Sequence, residues 1–114
     1  MRRDAGGSRR TEEFRVIGLQ LRTELGEIVT RGTSGGVHWS EALSQIDQQR
    51  FPCLGGLLPY ADTVFNERQV GKLLLEVADR SVRDIVGEEA ASEIEVLCRQ
   101  VEEGSHLYLW FVGD

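Results

Sequence analysis

The sequence predicts an α+β fold: a small, mostly antiparallel sheet of about three strands, packed with three helices as a two-layer sandwich. Three observations predict it. Apolar residues alternate over residues 14–22, recur at helical spacing through the middle of the chain, and fill a strand-like run at residues 105–114. At 114 residues and 40% hydrophobic content, the chain has the size of one domain and apolar material for one core.

Residues 1–12, MRRDAGGSRRTE, have no apolar periodicity and read as a flexible basic arm ahead of a single α+β domain over 13–114. In FRVIGLQLR, Ile17, Leu19 and Leu21 share one side while Val16, Gly18, Gln20 and Arg22 share the other, the pattern of a half-buried strand. EIVTR at 27–31 predicts a second strand joined through Gly26 as a hairpin, with a short helical turn over 23–29 as the alternative. Gly18 suggests a bulge or a close backbone approach. GTSGG at 32–36 is a loop, and its glycines invite a phosphate-cradle reading. Val37, His38, Trp39 and Ser40 follow it where a phosphate loop needs Gly-Lys-Ser/Thr, so that reading is rejected.

With Ser40 as N-cap, Trp39, Ala42, Leu43 and Ile46 predict an amphipathic helix of about three turns. Pro52 and Pro59 restrict Phe51 and Leu58, so 51–61 reads as an ordered loop, unusually apolar through Phe51, Leu54, Leu57, Leu58 and Tyr60. Asn66 and Gln69 form a capping box, and Phe65 with Val70 a hydrophobic staple. That helix presents Val70, Leu73, Leu74 and Val77 inward, and Glu76 with Arg80 forms a four-residue charge pair worth only tenths of a kcal/mol. Ser81 to Gly87 either extends it or turns and docks separately. Glu88 to Glu103 predicts the third helix, with Ala90, Ala91, Ile94, Leu97, Cys98 and Val101 inward and Gly104 as a left-handed terminus. SHLYLWFVGD is apolar at both parities and predicts an interior strand covered on both faces, or on most of both.

Charge and motif content narrow the function. The formal charge is −6; Arg2, Arg3, Arg9 and Arg10 against Asp4 put +3 on the arm, leaving −9 on residues 11–114. An acidic body disfavours nucleic acid for the folded part and favours a basic protein partner. No apolar run approaches the length of a membrane span, and no signal peptide is present, so the expectation is a cytoplasmic protein with no membrane partner. Cys53 and Cys98 have no metal-site spacing and read as reduced thiols, Cys98 as a buried and inert one. No paired carboxylates, nucleophile–base set or glycine fingerprint is present, so the reading assigns no catalytic residue, no cofactor and no metal, and leans away from an enzyme.

Two stretches remain as candidate partner-binding residues: Leu57, Leu58, Tyr60, Asp62 and Arg68 around the loop and helix start, and Glu88, Glu89, Glu93 and Glu95 on the acidic third helix. The pattern FPxLGGLxPYADTVFNxxQ over 51–69, with a final strand ending in FVGD, resembles a group of small uncharacterised bacterial cytosolic proteins. The resemblance implies no activity and no catalytic residues. Size and acidity add an analogy to immunity and antitoxin proteins. The expectation is a protein-interaction domain for a basic partner, with homo-oligomerisation left open. The alternative is a small-ligand binder or enzyme with a pocket beside the 51–65 loop, using Tyr60, Asp62, His106 or Arg68.

Overall fold

The computed structural model describes residues 15–113, so the basic arm at 1–12 lies outside the described residues. Five strands and five helices follow in the order β1 (Val16–Thr23), β2 (Ile28–Arg31), β3 (Val37–His38), α1 (Glu41–Ser44), α2 (Pro52–Gly55), β4 (Thr63–Phe65), α3 (Glu67–Val77), α4 (Arg80–Val86), α5 (Glu88–Glu103) and β5 (Leu107–Val112). The sheet is antiparallel throughout, in the order β2-β1-β5-β4. β3 resumes the pairing with β1 on the edge that β2 leaves: the Leu19 carbonyl accepts from Gly32 N–H and the Arg15 carbonyl from Trp39 N–H.

The alternation of β1 and β5 decides which face of the sheet the helices cover. Ile17, Leu19 and Leu21 of β1 are buried with Leu109 and Phe111 of β5 and Phe65 of β4, and the rings of Phe65 and Phe111 meet edge to face at 5.4 Å. Above them lie α3 and α5, which pack on one another, with Val70, Leu73, Val77, Ala91, Ile94, Cys98 and Val101 in the same core. α5 spans the predicted 88–103, and all six residues assigned to its inner face are buried. The α3 start also forms as predicted: the Asn66 side chain accepts from Gln69 N–H, and Gln69 Oε1 accepts from Asn66 N–H at 2.9 Å.

Several expectations give way to local chemistry. The three-turn helix from Trp39 stops after one turn, because Asp47 Oδ1 accepts from the backbone of Gln49 at 2.9 Å and Arg50 at 3.3 Å and turns the chain instead. Part of the 51–61 loop is helical. Pro52 takes the first position of α2, where its missing N–H is no loss. Glu76 does not form the charge pair with Arg80. It turns inward at 5% exposure and accepts from Cys53 N–H at 2.9 Å and Leu54 N–H at 3.0 Å. Phe51, the N-cap of α2, supplies no side-chain cap, so this carboxylate from α3 caps α2 from across the core.

The bulge lies between Leu21 and Arg22, where β2 carries Val29 as an extra residue, and not at Gly18. Gly104 is extended, and the left-handed residue in that connection is His106 at φ 57°. α4 is a separate helix, capped by Asp79 and ended by Gly87 at φ 93°. β5 is interior as predicted, but the described residues cover one face only: Leu109 and Phe111 are fully buried, while Tyr108, Trp110 and Val112 are half-buried on the other side.

Candidate functional site

The residues singled out in sequence do not come together. Leu57 completes the core with Phe51 and Leu54, whereas Leu58 and Tyr60 stand out at 56% and 54% exposure. The Tyr60 ring lies 4.3 Å from the Arg15 guanidinium, which places this loop at the end of the sheet where β1 begins. Asp62 accepts from Gly113 N–H at 3.1 Å and so ties the end of β5 to the start of β4. Arg68 lies away from both, on the rim of an open depression of about 190 Å³ shared with Asn66, Glu67, His106, Leu107 and Tyr108. Tyr60 and Asp62 do not line it. Pockets that enclose organic ligands run to about 300–1,000 Å³, so this hollow is small for such a role.

Of the four α5 glutamates singled out in sequence, Glu88, Glu93 and Glu95 have internal work. Arg83 takes Glu88 through Nε and Nη2, at 2.9 and 2.6 Å to Oε2, and reaches Glu95 Oε2 with Nη1 at 3.2 Å. The same guanidinium donates to the Val77 carbonyl and Ser92 Oγ, fastening the ends of α3 and α4 to α5. Hydrogen bonding to Arg83 holds the Glu88 carboxyl below its ordinary range.

Glu93 is held by the glycine-rich loop. Oε2 accepts from Thr33 N–H at 2.6 Å, Oε1 from Ser34 N–H at 3.1 Å, and both hydroxyls add to the set. A Cβ on Gly32 would stand 2.7 Å from Oε1. The loop therefore does cradle an anion, and the anion is a side chain of the same protein. Burial pushes the Glu93 carboxyl up, but the Ser34 and Thr33 hydrogen bonds outweigh it and leave the group below its ordinary value. Glu89 alone of the four makes no hydrogen bond or ion pair among the described residues.

The two thiols are quiet. Burial, then Glu76, pushes Cys53 up to about 12, and burial, then Glu102, does the same for Cys98. Among the described residues no group of three or more His, Cys, Asp or Glu could hold a metal ion, and no helix is long and apolar enough to cross a membrane.

The uncovered sheet face is the surface that sequence reasoning missed. Register puts Gly18 opposite Val112, Gln20 opposite Trp110 and Arg22 opposite Tyr108, with Val64 on the far side of Trp110. Val16, Ile28 and Val64 extend the apolar area at 39–40% exposure. The Arg22 guanidinium lies 4.0 Å from the Trp110 ring centre, and its Nε donates to Gln20 Oε1 at 2.9 Å. Arg31, paired in register with Gln20, carries a second cation on the same face. Nothing lies within 4 Å of where a Gly18 Cβ would be, so the face has a shallow gap beside Val112. The signal in the sequence was the double-sided apolarity of LYLWFV, read there as cover on both sides.

No family model, no curated protein and no solved structure matches this chain.

Proposed function

We propose that this chain is a protein-interaction domain that binds through the uncovered face of its sheet, with Leu58 and Tyr60 at the margin. The observation that carries this reading is a face that no described element covers, with Val64 beside Trp110 and Tyr108 and Val112 along β5, and Val16 and Ile28 exposed further out on β1 and β2. A solvated sheet face alternates polar residues outward, and a contiguous apolar one marks a contact surface. The acidic helix is the weaker surface, because Glu88, Glu93 and Glu95 already satisfy Arg83 and the 32–36 loop. An immunity- or antitoxin-like role is one form such a domain takes, and it rests on size and charge alone.

Site-specific photo-crosslinking in the native cell tests this, with the reactive side chain placed at Val64 in one variant and at Glu89 in another. A discrete protein adduct from Val64 and none from Glu89 is the expected result. Adducts from Glu89 alone would return the interface to α5, and a co-purified metabolite with no adduct at either site would favour the small-ligand alternative.

A further inference from the structure

We infer that the partner segment seated on this sheet face is acidic and apolar, placing a carboxylate on Arg22 and aliphatic side chains over Val64, Val112 and Gly18. This deepens the proposed interaction role and rests on it. The chemistry comes from how Arg22 is held. Its guanidinium carbon lies over the Trp110 ring, 4.0 Å from the centre, and Gln20 Oε1 accepts from Nε at 2.9 Å. The Nη groups have no hydrogen-bond partner among the described residues, and neither Arg22 nor Arg31 is in an ion pair there. A planar fork with one edge anchored and the other open matches a carboxylate, and little side-chain entropy remains to be lost when one docks.

Charge on the face agrees locally although the whole chain is acidic. Arg22 and Arg31 lie on the open side, while Asp62, at its corner, is held by Gly113 N–H. The glutamates of α5 lie in the helical layer, which covers the opposite face of the sheet. Screening reduces their reach to about 8 Å at physiological salt, so contact-range charge decides what docks. A basic segment, the partner expected from net charge, would meet Arg22 and Arg31, neither of which is in an ion pair among the described residues.

Nucleic acid also offers anions, but this face suits it poorly. Single strands need free aromatic faces for stacking. One face of Trp110 is already taken by Arg22, and beside it stand Gln20, Val64, Val112 and Tyr108. With Trp110 engaged and Tyr108 half-buried, neither ring of the face is a fully open stacking platform.

The test is a titration of the full-length isotope-labelled chain, followed by amide and indole NMR shifts. Three probes are used: a synthetic peptide alternating Glu with Leu and Val, the same peptide with Lys for Glu, and oligo(dT). The acidic peptide is expected to shift Gln20, Arg22, Val64 and the Trp110 indole, and to bind about tenfold less tightly to Arg22→Gln, the loss of one charge-assisted pair. Arg22→Lys should recover only part of this, since it keeps charge without the planar fork. Arg31→Gln, at an exposed edge position, serves as the second variant should Arg22→Gln lower the melting temperature. Stronger shifts of the same residues by the Lys peptide would overturn the acidity and leave the sheet face as the interface. Silence from both peptides would overturn both. Tighter binding of oligo(dT) at this face would replace the protein partner with nucleic acid, and shifts that track protein concentration without peptide would replace it with a second copy of the chain.

Discussion

Removing the Glu76 carboxylate should be among the most damaging single changes to this fold, although the position reads in sequence as half of a weak charge pair with Arg80. Glu76 is 5% exposed and accepts from two backbone N–H groups, Cys53 at 2.9 Å and Leu54 at 3.0 Å. These are first-turn donors of α2, whose N-cap Phe51 offers no side-chain acceptor. Glu76→Ala leaves two donors without a partner, Leu54 N–H in a buried site and Cys53 N–H in a half-buried one, at about 1–3 kcal/mol each. Leu54 is fully buried with Phe51 and Leu57 around it, so the loss reaches the core and not merely a surface turn. About 1 kcal/mol for the half-buried Cys53 donor and about 2 kcal/mol for the buried Leu54 donor sum to about 3 kcal/mol, set against a typical domain stability of about 5–15 kcal/mol.

Urea unfolding should show the loss as a lower midpoint with an unchanged slope, and thermal unfolding as a fall of roughly 10–20 °C. Glu76→Gln should lie between wild type and Ala, because its oxygen accepts one bond while its amide meets the other donor head-on. Hydrogen exchange gives the local check: the Cys53 and Leu54 amides both lose protection in Glu76→Ala, and one of the two in Glu76→Gln. Glu76→Ala within about 0.5 kcal/mol of wild type, with those amides still protected, would refute the account of a cap supplied from α3.

Three further outcomes are expected. Glu93 has a folded-state pKa below its ordinary 4.5, so the stability it adds is fully present above that value and is lost as pH falls through the lower folded value; acid unfolding of Glu93→Gln should show a shallower pH dependence there. Both thiols, with pKa values pushed to about 12 from 9.0, should react at least about tenfold more slowly than an ordinary cysteine with a disulfide reagent at pH 8, and both should react readily once the chain is unfolded; a rapid equivalent in the native state would contradict this. Gly36 sits at φ 80° with a Cβ position 2.5 Å from the Ile17 carbonyl, so Gly36→Ala should destabilise by about 2 kcal/mol or more in urea unfolding. Gly18→Val, in open space on a strand, should instead stabilise by about 0.5–1 kcal/mol.

The legible parts of this fold were those whose information is local. The Asn66–Gln69 box, the apolar face of α5 and the alternation of β1 each depend on residues within a few positions of one another, and all three form as the spacing predicts. β3 and β4, of two and three residues, are too short to carry a period and exist through pairing with β1 and β5. Glu76 and Glu93 were misplaced for a related reason: their partners stand 22–23 and 59–60 residues away, so nothing near them in sequence marks them as buried or engaged. The glycine-rich loop signalled an anion, but only the fold reveals that Glu93 supplies it. The outer face of β5 was visible as composition and misread as a second buried face.

That outer face carries more apolar surface than a two-layer fold requires. On β1 the outward positions are Gly18, Gln20 and Arg22, the polar or small residues that a wet face calls for, whereas β5 opposes them with Val112, Trp110 and Tyr108. Arg22 laid over Trp110 can be understood as a lid, its stem and flat guanidinium shielding the indole while the charge stays wet. A lid accounts for Trp110 and leaves Val64, Val16 and Ile28 unexplained at 39–40% exposure. A docked segment accounts for all four, and it gives the anchored guanidinium a carboxylate to hold. The two roles are compatible in one side chain: the contact that protects Trp110 in the free protein already holds Arg22 in the geometry that binding needs.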